Sequence, residues 1–216
     1  MNCKLVICDL DGTLISVSSE VVFVKGLLRR GVLSWRVLFS FFCHYLRHPV
    51  RTFTEGRGWN RGYFRGLPVS VMIEEVREDV PYLLGKVRPE VLELLSRMKK
   101  QGAVICILSA SISPIVQAVA RELDFHCFRG SIPAVKDGKC TGNLVGQRPW
   151  GRAKIAPAIA LMDQYDVNPE ETLAIGDSWS DRHVMGICGK AIAVDPGGKL
   201  TKLALERGWE ILAGRK

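Results

Sequence analysis

The segment Val6-Ile7-Cys8-Asp9-Leu10-Asp11-Gly12-Thr13 ends a short apolar run with two carboxylates one residue apart and a glycine that permits a sharp turn. Asp9 and Asp11 flank the strand's exit, where backbone and side-chain oxygens can converge. Oxygen donors converging there suit a hard cation. Three later pieces could join them. Ser109 follows the apolar run Ile107-Leu108 and precedes Ala110-Ser111, and Lys154 follows Trp150-Gly151-Arg152-Ala153. Asp177 and Asp181 sit in Ile175-Gly176-Asp177-Ser178-Trp179-Ser180-Asp181. Alone, each has an ordinary reading: an Asp pair makes a turn, a Ser caps a helix, a Lys is solvated. In register at the ends of successive strands, they make a site.

The elements that must position them alternate. Residues 4–8, 103–108, 172–175 and 191–194 read as short buried strands of a parallel sheet. Pro89–Lys100 has Pro at its start, an early acid, bases at its end and Gly102 as a stop, which predicts a helix covering that sheet. Residues 114–123 and 154–165 read as further helices, with Pro157 in the first turn of the second or kinking it. Asp137-Gly138 suggests a hairpin over 135–140. The fold class is therefore α/β, a Rossmann-like parallel sheet whose ligands bind beyond the carboxyl ends of its strands. Residues 15–84 break the alternation and read as a helical cap inserted after the first strand. This leaves 1–14 and 85–216 as the α/β core.

With 216 residues, 47% of them apolar, the chain can fill a substantial core. The net charge of +8 falls entirely between Lys25 and Arg65, where nine bases meet one acid. Such a stretch attracts anions, including phosphates, nucleic acids and acidic membranes. It matches no nucleic-acid reader, and its aromatics are clustered rather than interleaved with Arg, so no nucleic-acid partner is expected. Within it, 32–46 is apolar and aromatic but falls short of the roughly 20 residues that cross a bilayer. It reads as a packed cap helix, or else as an interfacial segment giving peripheral membrane contact. Arg57, Arg61 and Arg65, four residues apart, would form one cationic stripe on a helix. The seven cysteines form no CxxC pair and read as buried reduced thiols. His44, His48, His126 and His183 lack metal-ligand spacing and read as packing or surface residues. Asp9 interrupts the first apolar stretch too soon for a cleaved secretory signal, so a cytoplasmic location is expected.

The chain resembles the haloacid dehalogenase (HAD) superfamily, whose four motifs recur in order as Asp9-Leu10-Asp11-Gly12-Thr13, Ser109, Lys154 and Gly176-Asp177 with Asp181. The resemblance covers nearly the whole chain. The helical insertion, Trp150-Gly151-Arg152-Ala153-Lys154 and Gly208-Trp209-Glu210-Ile211-Leu212 are similar to the phosphoserine-phosphatase-like branch, subfamily IB. A receiver-type phosphorelay module also clusters Asp residues, a hydroxyl and a Lys, but its acceptor lies in the middle of a shorter domain.

The resemblance implies a Mg2+-dependent phosphatase in which Asp9 attacks phosphorus to form an aspartyl-phosphate. Asp11 would protonate the leaving alkoxide and then activate water. Mg2+ would be held by Asp9, the Asp11 main-chain carbonyl and Asp177. Ser109, the Ala110 N–H, Gly12 and Lys154 would bind phosphate, while Asp181 and Thr13 would support the site. The expected substrate is a small organic phosphate. The alternatives are transfer to an acceptor other than water, a lipid phosphate resembling phosphatidylglycerophosphate, or a catalytically silent membrane-surface protein. In phosphoserine phosphatases a Glu nine residues beyond the nucleophile receives the substrate's amino group; here that position is Ser18, and Glu20 lies two residues later.

Overall fold

The computed structural model describes residues 3–35, Phe39 and 61–214. Its centre is β1 (Leu5–Cys8), buried throughout because both faces of the sheet are covered. On one side β1 pairs in parallel with β2 (Val104–Ile112), and on the other with β5 (Thr172–Gly176). Completing the sheet are β3 (Cys127–Lys136), β4 (Lys139–Val145), β6 (Lys190–Val194) and β7 (Glu210–Leu212), in the order β4-β3-β2-β1-β5-β6-β7. Only β4 runs antiparallel, against β3. Their hairpin turns at Asp137 and Gly138, both at positive φ, as the Asp-Gly pair predicts.

Seven α-helices are described: α1 (Ser19–Arg29), α2 (Val69–Leu84), α3 (Pro89–Lys100), α4 (Ser113–Glu122), α5 (Ile155–Gln164), α6 (Arg182–Met185) and α7 (Gly198–Arg207). Strand periodicity sorts them onto two faces. Val6, Cys8, Ile105 and Ile107 pack with α1 to α4, whereas Leu5, Ile7, Cys106 and Leu108 pack with α5 to α7. Pro157 falls in the first turn of α5, where its missing N–H costs nothing. The ends of β1 and β5 therefore open at one rim of a sandwich that cannot shift without exposing both cores.

Four expectations are corrected. First, β2 does not stop at 108 but runs to Ile112; its pairing with β3 shifts register between Leu108 and Ile112, so Ser109 marks the break in the ladder rather than the strand's end. Second, Cys106 and Cys127 are not reduced thiols: they lie opposite one another on neighbouring strands and are joined by a disulfide. Third, Arg61 and Arg65 flank the short 3-10 turn Gly62–Phe64 instead of lying on an α-helix. That segment is pinned along β4, with Arg61 N–H donating to Gly142 O at 2.8 Å and Cys140 N–H to Leu67 O at 2.8 Å, which covers an otherwise open sheet edge. Fourth, β7 and α7 continue the chain where the sequence reading assigned neither. Arg57, His44, His48 and most of 32–46 lie outside the described residues. Trp35 and Phe39, the first near the start and the second at the middle of that stretch, are exposed. His126 is a surface residue whose Nδ1 accepts from Ile105 N–H at 3.0 Å.

Among the described residues of 15–84, α1 and α2 are tied by Arg30, which pairs with Glu75 and, at 2.9 Å, with Asp79. Gly26 makes room for this, since a Cβ there would lie 2.5 Å from Arg30 Nη2. Arg30→Ala leaves two nearly buried carboxylates without their cation, and a loss of about 2–4 kcal/mol is expected in urea denaturation.

Candidate active site

Asp9 is the first residue beyond β1, and its N–H donates to Ile175 O at 3.0 Å, which holds it against the end of β5. The chain then folds back on itself: Gly12 N–H donates to Ile15 O and Ile15 N–H to Leu10 O. Gly12 stands at φ +82, and a Cβ there would lie 2.3 Å from Asp177 Oδ2, so both the turn and the approach of Asp177 require glycine. Thr13, fully buried, donates its hydroxyl to Asp177 Oδ1 at 2.8 Å. Gly176 is needed for the same kind of reason, because a Cβ there would strike Asp181.

Lys154 comes from the 3-10 turn Gly151–Lys154 that leads into α5. Its buried Nζ lies 2.8 Å from Asp9 Oδ1 and 2.6 Å from Asp181 Oδ1. Asp181 Oδ2 accepts from the Ser178 hydroxyl at 2.6 Å and the Ser178 N–H at 3.1 Å, so both its oxygens are engaged. Oxygens of Asp9, Asp177 and Asp181 all lie within 4.8 Å of one another. Burial pulls Lys154 down, but Asp9 and Asp181 outweigh it and hold the ammonium above its ordinary value. Burial likewise opposes ionisation of Asp181, yet Lys154 and Ser178 keep that carboxyl below the usual range. Asp9 is different. Burial pushes it up to about 8 despite Lys154, with Asp181 and Asp177 adding to the rise. Burial raises Asp177 too, against the Thr13 hydrogen bond.

This cluster is short of positive charge. One ammonium faces three close carboxylates: it touches one oxygen each of Asp9 and Asp181, Ser178 takes the second oxygen of Asp181, and the two left with less support, Asp9 and Asp177, are the two with raised values. A divalent cation fits that deficit, and the donor set is all hard oxygen, as Mg2+ prefers.

Asp11 sits apart from this ion network. Its Oδ1 accepts the Ser19 N–H at 3.0 Å and its Oδ2 the Ser111 hydroxyl at 2.7 Å. The Ser19 and Ser111 hydroxyls are 2.8 Å apart in the buried interior. Ser109, also buried, accepts the Ser111 N–H at 3.2 Å. Ala110 is held by its carbonyl, which accepts the Ser131 hydroxyl at 2.7 Å and Arg148 Nε–H at 3.2 Å. The structure thus gathers Asp9, Gly12, Thr13, Lys154, Asp177 and Asp181 in one network, with Asp11, Ser109 and Ala110 in an adjoining one. Sequence reasoning gave no role to Ser19, Ser111, Ser131 or Arg148. The one available signal was Ser109-Ala110-Ser111, whose two-residue spacing places both hydroxyls on one side of an extended strand.

The model of the haloacid dehalogenase-like hydrolase family matches residues 6–186. Among curated relatives, phosphoserine phosphatase SerB1 of Mycobacterium tuberculosis is 26% identical over 212 residues, covering 94% of this chain and 68% of that one. A probable phosphatase of the same species is 28% identical over 222 residues, covering 95% and 73%. Of the solved structures, a Bordetella pertussis protein of unknown function superposes with a TM-score of 0.82 at 16% identity, covering 98% of this chain and 99% of that one. A phosphoserine phosphatase captured as a phospho-aspartyl intermediate analogue gives 0.67 at 18%, covering 100% and 95%. At these identities the superpositions speak for the fold alone. The family match runs from β1 through α6 and so takes in all four segments that converge at the sheet's rim; the chain belongs to the haloacid dehalogenase-like hydrolase family.

Proposed function

We propose that this chain is a Mg2+-dependent phosphatase that hydrolyses a small phosphate monoester through an aspartyl-phosphate on Asp9. The observation that carries the reading is the buried Lys154 ammonium bridging Asp9 and Asp181 beside Asp177. It offsets negative charge where a carboxylate must approach a phosphate dianion. Phosphatase-named relatives at about a quarter identity support the reaction class.

In the first step an Asp9 oxygen attacks phosphorus, the bond to the leaving oxygen breaks, and Asp11 delivers its proton to the departing alkoxide. In the second step water attacks the same phosphorus while Asp11 takes a proton from it. The phosphorus–Asp9 bond then breaks, returning the Asp9 carboxylate and inorganic phosphate. Ser109 and the Ala110 N–H bind phosphate oxygens, and Gly12 lets the backbone come close. Asp181 positions Lys154, Thr13 positions Asp177, and Ser19 with Ser111 orients Asp11. Mg2+ held by Asp9, Asp177 and the Asp11 carbonyl would neutralise charge on the transferring phosphoryl group.

In this reading 15–84 acts as a cap over the core. The lipid-phosphate and membrane-surface alternatives rest on the basic, aromatic part of 15–84, much of which lies outside the described residues. A cytoplasmic location remains part of the proposal, with the Cys106–Cys127 disulfide as the one observation against it.

A screen of phosphate release from phospho-amino acids, sugar phosphates, nucleotides and lipid phosphates tests the proposal. Hydrolysis is expected with Mg2+, a fall of about 100-fold or more with chelator, and recovery on adding Mg2+ back. Turnover indifferent to chelator, or none on any ester, contradicts it; product appearing on an added alcohol identifies transfer instead.

A further inference from the structure

The bulge that carries Ser109 and Ala110 is shaped by β3. The ladder pairs Cys106 with Cys127, Ile107 with Phe128 and Leu108 with Arg129, and resumes only at Ile112 with Ser131. Ser109, Ala110 and Ser111 on β2 therefore stand against Gly130 alone. A Cβ on Gly130 would lie 2.9 Å from both the Ser111 carbonyl oxygen and the Ser113 Cα, so the bulge rests directly on that glycine. Ser131, 2% exposed, closes it by donating its hydroxyl to the Ala110 carbonyl at 2.7 Å. Because Ser109 Oγ accepts the Ser111 N–H, the peptide joining Ala110 to Ser111 is held at both its carbonyl and its N–H.

A covalent bond fixes β3 in that register. β4 joins β3 only from Ile132 onward, so among the described residues 127–131 has β2 as its only strand neighbour. At the first pair of the ladder the Cys106–Cys127 disulfide ties the two strands, with Cα atoms 4.7 Å apart. The pairing is selective, since Cys3, Cys8, Cys140 and Cys188 are free thiols. Two separate thiols need more room than bonded sulfurs, and Cys106 is fully buried in the cluster that holds Leu5, Ile7 and Leu108. Opening the bond therefore pushes β3 away from β2 just before the bulge and draws Ser131 off Ala110.

We propose that Ser131 is a positioning residue for the phosphate-binding bulge and that the Cys106–Cys127 disulfide makes its action redox-dependent, the oxidised protein binding phosphate more tightly than the reduced one. The inference rests on the phosphatase reading and adds regulation to the same site. The reductant is a dithiol. One of its thiolates attacks the Cys127 sulfur, at 9% the more exposed of the pair, and the S–S electron pair leaves on the Cys106 sulfur, which takes up a proton. The second thiol then displaces Cys127, which also takes up a proton, and the reagent departs as its own cyclic disulfide. One dithiol is oxidised for each protein disulfide reduced.

The test uses the full chain with Mg2+ and inorganic phosphate as the probe, titrated by calorimetry before and after dithiothreitol. Alkylation and mass spectrometry report the state of Cys106 and Cys127. Reduction is expected to weaken phosphate binding by about 10-fold and reoxidation to restore it. For an ester that is turned over, KM is expected to rise by a similar factor while kcat changes by less than about threefold. The double variant Cys106→Ala, Cys127→Ala is expected to bind phosphate less tightly than the oxidised protein and to ignore dithiothreitol. Ser131→Ala is expected to weaken binding to the oxidised protein by about 3- to 10-fold and to shrink the redox step below about threefold, with Ser131→Thr retaining most of both. Equal affinity in the two redox states, tighter binding by the reduced protein, a disulfide that dithiothreitol does not open in the folded chain, or an undiminished redox step in Ser131→Ala overturns the inference. Should the cysteine variant fail to fold, the wild-type redox pair and the Ser131 variants still decide. Turnover and phosphate binding indifferent to redox state defeat this inference alone, whereas no turnover on any ester defeats the phosphatase reading beneath it.

Discussion

Asp9→Asn is expected to lower turnover by about four orders of magnitude or more while leaving the protein folded. The amide is a poor nucleophile and cannot carry the acyl phosphate, yet it has nearly the shape of the carboxyl it replaces. Asp9 is also a site of electrostatic cost. Its carboxyl is pushed up to about 8 by burial beside Asp181 and Asp177, well above the usual range near 3.9. A group raised on folding contributes stability that is present at low pH and is lost as pH rises through its folded value. In chelator, therefore, the melting temperature of the variant should equal or exceed that of the wild type, and the gap should widen between pH 5 and pH 9. Turnover retained within about tenfold of wild type would remove Asp9 from the chemistry. A variant that does not fold would show that the carboxylate is needed for the scaffold.

Lys154→Met should cost both activity and stability, which separates it from the first variant. Methionine fills similar volume but leaves Asp9 and Asp181 sharing a buried corner with no cation between them. Removing one partner of a buried ion network costs about 3–5 kcal/mol, and the approaching phosphate dianion loses its counter-charge, for an expected fall of about 1000-fold in kcat/KM. Adding Asp181→Asn to Lys154→Met removes one of the stranded charges and is expected to restore stability without restoring rate. Denaturation curves and steady-state kinetics on the two variants check this. If the double variant recovers turnover, Lys154 serves only to balance Asp181.

The parts of this site that could be read from the sequence are those whose signal is local. Asp9-Leu10-Asp11-Gly12 announces itself because the strand exit, the paired acids and the turn glycine are contiguous. Pro89–Lys100 is legible for a similar reason, since its Pro, acids, bases and following Gly102 mark both ends. The partners of Asp11 are not legible. Ser111 lies 100 residues away and is an ordinary serine until β2 passes the loop after β1. Arg148 is one arginine among many until it donates to Ala110.

Long-range register hides features in the same way. Cys106 and Cys127 are 21 residues apart and carry no pairing signal; only the alignment of β2 with β3 sets them face to face. The four-residue spacing of Arg61 and Arg65 misleads because it presupposes a helix, whereas Gly62 opens a 3-10 turn that hydrogen bonds to β4 hold in place. β3 escapes recognition because its burial does not alternate and Pro133 interrupts it, and β7 because it is three residues long and mostly exposed.

The measurement that bears most directly on the account is chemical trapping of the intermediate. The enzyme is mixed with a turned-over phosphate ester and Mg2+, quenched in acid within the first turnover, digested and analysed by mass spectrometry. One phosphoryl group is expected on Asp9, stable in acid, removed by hydroxylamine as an acyl phosphate must be, and absent from Asp9→Asn. A stoichiometric burst of the leaving alcohol ahead of phosphate with no acyl phosphate at Asp9, or a phosphoryl group found on Ser109 or Ser111 instead, would contradict it.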